Sequence, residues 1–130
     1  MQLERYQKTR DLRGRAQTET CDSGGFVAFW SDHKYVSARD RDGTEWLLKH
    51  GTVLRDIEAG DEGLMRIHQS RLVRRDSVDE LLRIRYRNSI DGFGVARVLG
   101  HEYRFSRDHW RKLIRQRLLE SASKVQVQMR

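Results

Sequence analysis

Apolar and polar positions alternate with no clear period over the first 25 residues of this 130-residue chain, and they fall into strand and helix periods from there on. Residues 1–25 are rich in Gln, Arg and Thr and end in Asp22-Ser23-Gly24-Gly25, a flexible turn signal, so they predict a loosely ordered arm or short helix. Phe26-Val27-Ala28-Phe29-Trp30 is an apolar, aromatic run of strand length. Ser31-Asp32-His33 interrupts it, and Lys34 to Arg39 resumes in a half-buried strand pattern. Asp40-Arg41-Asp42-Gly43 predicts a tight turn into a second hairpin arm, Thr44 to Leu48. Thr52 is the expected N-cap of a short helix through Ala59, with Val53, Leu54 and Ile57 facing inward and Gly60 closing it.

Leu64 to Ile67 and Arg71 to Val73 read as two extended pieces around His68-Gln69-Ser70. Residues 78–87 alternate, with Val78, Leu82, Ile84 and Tyr86 on one side and Arg83, Arg85 and Arg87 on the other, which predicts a half-solvated strand with a basic outer face. Residues 88–92 form a loop, and Phe93 to Leu99 with Glu102 to Phe105 make another hairpin. Ser106 caps a last helix over 107–119, whose Trp110, Leu113, Ile114 and Leu118 fall at i, i+3, i+4 and i+8. The polar tail from Ser121 is expected to fray. The pattern therefore predicts a mainly β domain with short α, spanning 26–120, preceded by an arm over 1–25 and followed by a tail over 121–130.

Composition narrows the function classes. Proline is absent, which excludes proline-rich linkers and ligands. The longest run of glycine and apolar residues is seven, Gly24 to Trp30, far short of a membrane span. The N-terminal residues are charged and have no signal-peptide core, and the lone Cys21 excludes an internal disulfide, so a reducing, cytoplasmic setting is expected. The net charge of +7 is divided unevenly: +2 over residues 1–20, −4 over 21–65 and +9 over 66–130. Arginine outnumbers lysine 21 to 5, and fourteen arginines follow residue 65. Its planar fork suits phosphate and guanine, so this half suggests a polyanion partner, most economically nucleic acid.

Catalytic and metal chemistry find little support. His33, His50, His68, His101 and His109 have no zinc-ligand spacing with Cys21, and Asp40-Arg41-Asp42-Gly43 lacks the downstream glutamate of a calcium loop. No glycine-rich phosphate loop or nucleophile elbow is present. The chain is expected to be no enzyme and to need no cofactor. Polar side chains instead gather in loops: Ser31 to Tyr35, Arg66 to Val73, and Phe105 to His109 at a helix start, where free N–H groups suit phosphate.

In order and spacing, these pieces resemble the LytTR DNA-binding domain of bacterial transcriptional regulators. The resemblance rests on Asp32-His33-Lys34-Tyr35-Val36, the turn ending Asp42-Gly43, Leu64-Met65-Arg66-Ile67-His68-Gln69-Ser70-Arg71-Leu72-Val73, and Phe105-Ser106-Arg107, and covers residues 26–119. It implies an elongated sandwich of short antiparallel sheets whose loops, rather than a recognition helix, enter two successive major grooves and the minor groove between. Carried over by position, His33 and Lys34 fall on the first major groove, Gln69 beside His68 on the minor groove, and Ser106 and Arg107 on the second major groove. Arg66, Ser70, Arg71 and His109 complete the expected contact set. Two departures stand out: the family's initial strand pair is not visible in residues 1–25, and Gln69 stands where Arg or Asn is common.

The expected function is a stand-alone, sequence-specific regulator that binds double-stranded promoter DNA, at paired boxes and as a dimer, with no membrane partner. The 25 residues before the domain are too few for a receiver, so control by phosphorylation is not expected. The rival reading is a LytTR-like interaction module that binds no DNA and sequesters a full-length response regulator through the sheet edge left by the missing strands. An RNA-binding β domain is a third reading, but its aromatic candidates Trp30, Trp46 and Phe105 read as core.

Overall fold

A computed structural model describes residues 1–6, 18–85, 92–119 and 125–129. Among these residues eleven strands and two α-helices follow in chain order: β1 (Gln2–Tyr6), β2 (Thr18–Asp22), β3 (Phe26–Asp32), β4 (Tyr35–Asp40), β5 (Glu45–Leu47), α1 (Leu54–Gly60), β6 (Leu64–His68), β7 (Arg71–Arg74), β8 (Val78–Arg85), β9 (Gly92–Val98), β10 (His101–Arg104), α2 (Arg107–Leu119) and β11 (Val125–Met129). Three sheets result, in the orders β5-β4-β3-β7-β6, β10-β9-β8-β11 and β1-β2. All pairings are antiparallel except β11, which lies parallel to β8.

The five-stranded sheet forms the middle layer, and β3 shows why. Its apolar run does not alternate because both faces are buried, the mark of a central strand. A register shift between Phe26 and Ala28 puts Phe26 and Phe29 on one face although they are three residues apart. That face packs with Val36, Ala38, Leu48 and Leu72 against Leu54 and Ile57 of α1 and Leu3 of β1. Val27, Ala28 and Val73 face the other way and meet Leu81, Ala96 and Val98 of the four-stranded sheet, together with Phe105. Leu82, Ile84 and Val95 form a third, smaller cluster on the far side of that sheet.

Tight turns follow local chemistry. Asp40 Oδ1 accepts from the backbone N–H groups of Asp42 and Thr44, its Oδ2 accepts from Trp46 Nε1, and Gly43 takes φ = 86°. Burial pushes the Asp40 carboxyl up, but these hydrogen bonds outweigh it and hold the group below its ordinary range.

Four expectations need correction. The arm over 1–25 contains the strand pair β1–β2, registered Leu3 to Cys21 and Arg5 to Glu19; residues 7–17 lie outside the described residues. Apolar alternation is weak there because Leu3 is the one deeply buried side chain of the pair, and Arg5 instead lies 3.7 Å over the Trp46 ring and 2.7 Å from Glu19. The sheet edge that motivated the interaction-module reading is thus accompanied by its strands. Secondly, Thr52 does not cap α1: its hydroxyl donates to Lys49 O, Val53 stands at the cap without a side-chain bond, and Gly60 lies within the helix. Thirdly, Val53 is 43% exposed rather than inward-facing. Finally, the polar tail includes β11, whose backbone pairs with Leu81 to Arg85. Tyr86, Arg87 and residues 88–91, where a loop is expected, lie outside the described residues.

Candidate nucleic-acid interface

The three loops that carry the sequence motifs meet at one end of the middle sheet. β3 and β4 join through His33 and Lys34, with Asp32 opposite Tyr35. β6 and β7 join through Gln69 and Ser70 at the same end, because Trp30 pairs with Arg71 and Ser31 N–H donates to Ser70 O at 2.9 Å. The start of α2 is tied to this second turn by Ser106 N–H donating to Ile67 O at 2.8 Å. Arg71 adds a further link by donating to Arg104 O at 2.8 Å. The surface therefore runs without a break from His33 through Gln69 and His68 to Ser106 and Arg107.

His33 and Lys34 face a cleft of about 330 Å³ that Arg66 and Gln69 line from the other side, with Arg55 at the start of α1. His33 takes φ = 55°, a left-handed conformation that a non-glycine residue holds at a cost of about 1–2 kcal/mol. Its imidazole and the Lys34 side chain project into solvent.

Some of the expected contact residues also brace the loops. Arg66 donates through Nε to Glu58 at 3.1 Å and through a terminal nitrogen to Gln69 O, which fixes the turn from beneath. Ser70 donates its backbone N–H to His68 Nδ1 at 3.1 Å, with its hydroxyl 3.0 Å from the same atom. At the start of α2, Ser106 Oγ accepts from His109 N–H at 3.2 Å and sits in hydrogen-bond contact with His109 Nδ1. The hydroxyl proton is free to be donated to that nitrogen. Ser106 is therefore the N-cap expected from the sequence.

His68 accepts at Nδ1, which places its remaining ring proton on Nε2, and a Ser106 hydroxyl donating to His109 Nδ1 would do the same there. Burial lowers the His68 pKa below its ordinary 6.5, and the charges of Arg71, His109 and Arg104 push it further. Burial likewise lowers His109, helped by Lys112 and Arg66 and opposed by Asp108 and Glu58. The rings are thus neutral donors in a cationic setting. Because the unfolded chain protonates these rings first, stability is full above pH 6.5 and declines as pH falls below it, levelling once the folded rings also protonate. Urea midpoints measured from above pH 7 down to about 5 should show this fall, and the His68→Gln, His109→Gln double variant should show a shallower one. Equal slopes would contradict the assignment.

The sequence reading missed several neighbours. Tyr35 is 38% exposed beside the first turn, edge-on to His50 with ring centroids 5.6 Å apart. Arg104, Arg111 and Arg115 stand near the second turn and along α2. The spacing of Arg107, Arg111 and Arg115 at i, i+4 and i+8 was the available signal.

Among the described residues no group of three or more His, Cys, Asp or Glu side chains could hold a metal ion, and no helix is long and apolar enough to cross a membrane.

This architecture, short sheets in layers with loops and a helix start gathered at one end, is the fold of a LytTr DNA-binding domain. A solved structure that it resembles is the LytTr DNA-binding domain of a methyl-accepting/DNA response regulator from Bacillus cereus, with a TM-score of 0.61 and 13% sequence identity, covering 89% of this chain and 96% of that one. No family model matches the sequence, and no curated protein matches it.

Proposed function

We propose that this chain is a sequence-specific, double-stranded DNA-binding transcriptional regulator that reads successive grooves through loops and catalyses no reaction. The observation that carries the reading is the continuous surface of His33, Lys34, Gln69, His68, Ser106 and Arg107, assembled at one end of a LytTr fold. His33 and Lys34 take the first major groove. Gln69 and the Nε2–H of His68 donate to minor-groove acceptors, which are nearly alike for A·T and T·A pairs. Arg107 makes the bidentate contact to guanine in the second major groove, and the free N–H groups of the α2 start hold a flanking phosphate. Arg66, Ser70, Arg71 and His109 orient these groups. The chain acts in the cytoplasm, at the nucleoid, and occupies paired boxes as a dimer.

Selection of random duplexes on the purified chain tests this, with enrichment of a two-box motif expected. Arg107→Ala should then cost about 1–3 kcal/mol on the selected site and relax preference at one base position. Equal binding of selected and random duplexes by the wild type and this variant would refute the assigned role. Co-purification with a response regulator, without DNA affinity, would select the interaction-module reading instead.

A further inference from the structure

We infer that the groove between α2 and the β8–β9–β10 sheet is a second nucleic-acid site, a channel for the phosphodiester backbone that reads no bases. This rests on the DNA-binding reading above and extends it to a surface outside the three loops. The groove encloses about 610 Å³. Arg107, Arg111 and Arg115 line it along α2, Arg83 lines it from the sheet, and Arg104 lies at its edge. Among the described residues no acidic side chain lines it.

Two features make the arginines a binding array rather than a wet surface. The side chains of Arg83, Arg107, Arg111 and Arg115 make no ion pair or hydrogen bond among the described residues, whereas Arg5, Arg39, Arg66, Arg74 and Arg97 are each paired with a carboxylate. Like charges facing each other across a groove repel, and an anion between them removes that cost. The groove is also continuous with the proposed interface, because Ser106 and Arg107 line its mouth and Arg104 lies close enough to His68 to depress its pKa.

The chemistry of the lining matches a phosphodiester chain. Trp110 and Ile114 supply apolar surface between the guanidinium groups, while Arg104 stacks over Phe93 at 4.0 Å at the groove's edge, on the sheet face that carries Val95. A nucleic-acid backbone alternates charged phosphates with apolar deoxyribose faces in the same manner. The basic face read from Arg83, Arg85 and Arg87 thus has a specific half. Arg83 pairs in register with Gly94, on which Trp110 sits, so its side chain lies on the α2 side of the sheet. Arg85 is half-buried, and Arg87 lies outside the described residues.

The test uses the full chain and a triple variant, Arg83→Gln with Arg111→Gln and Arg115→Gln, which leaves Arg107 and Arg104 in place. Anisotropy titrations are run across salt concentrations on both a selected duplex and a random one. The triple variant should bind both duplexes about tenfold or more weakly, by the same factor, and its plot of log affinity against log salt should be shallower by roughly two to three units. The matching Arg→Lys triple should keep the wild-type slope, which separates lost charge from lost folding. An unchanged slope and affinity, while the wild type binds DNA, would overturn the backbone channel and leave the loop reading intact. A loss confined to the selected duplex would also overturn it, since the groove would then read bases. Thermal stabilisation of the wild type by inorganic pyrophosphate, abolished in the triple variant with DNA binding unaffected, would assign the groove to a free phosphate ligand instead. Failure of the wild type to bind any duplex would overturn both readings.

Discussion

Replacing Arg74 by alanine is expected to destabilise the chain by about 3–5 kcal/mol, the usual cost of breaking a buried ion pair by removing one partner. Arg74 is one of two buried polar side chains among the described residues, at 7% exposure, and all of its bonds point inward. Its Nε donates to Phe26 O at 2.8 Å, and one terminal nitrogen donates to Ser23 O at 2.9 Å. The guanidinium grips Asp61 in a two-point contact, at 2.8 and 3.2 Å. Asp61 also accepts from the Ser23 hydroxyl at 2.6 Å and from Gly63 N–H at 3.0 Å. Truncation would leave two carbonyls and a carboxylate buried without this partner. Arg74→Lys should recover part of the loss, because an ammonium restores charge but not the fork. Chemical denaturation near neutral pH measures the effect, and a loss below about 1 kcal/mol would contradict it.

The same pair sets the acid limit. The Arg74 hydrogen bonds hold the Asp61 carboxyl well below its ordinary 3.8, against the upward push of burial. A depressed carboxylate adds stability that is fully present above pH 3.8 and is lost as pH falls through the folded value. Wild-type stability should therefore fall steeply below pH 4, and the Arg74→Ala slope should be shallower there. The cluster sits at the far end of β7 from the Ser70 turn. Where the variant remains folded, its DNA affinity should match that of the wild type, which separates this structural arginine from the binding ones.

Arg74 also shows how far the sequence could be read. It counts toward the +9 of the distal half, yet its charge is neutralised inside the fold. Arg97 counts there too and is engaged by Glu80 and Glu102. Charge arithmetic locates cations along the chain but cannot say which have carboxylate partners far away in sequence, since Arg74 and Asp61 are 13 residues apart and Arg97 and Glu80 are 17. The hairpin around Asp40 was legible because its turn chemistry is local. The β1–β2 pair was not, because its strands are separated by eleven residues and are held by one buried leucine, an arginine–tryptophan stack and backbone pairing rather than by apolar alternation. The loop motifs were legible as a set through order and spacing. That Arg66, Ser70 and Arg71 brace the loops depends on Glu58, His68 and Arg104, whose positions only the fold supplies.

Gly94→Ala is expected to dislodge α2 and cost both stability and DNA affinity. A Cβ at Gly94 would stand 2.0 Å from a Trp110 ring carbon, closer than any non-bonded carbon approach. Trp110 in turn meets Phe105 edge-to-face at 5.1 Å, and Phe105 is buried in the core between the two larger sheets. The helix start that presents Ser106 and Arg107 thus hangs on the seat that a missing side chain gives Trp110. Overpacking of this kind usually costs about 1–3 kcal/mol, and here the displaced element also carries binding groups. The cause is separable by a double-mutant cycle. Trp110→Ala alone loses packing, but in its background Gly94→Ala should be nearly neutral for stability, giving a coupling energy of about 1–3 kcal/mol. Additive losses would mean that the glycine serves strand geometry rather than the tryptophan. In the binding assay, Gly94→Ala should weaken the selected duplex more than the random one, because displacing Arg107 by about an ångström removes a bidentate base contact while leaving its charge nearby.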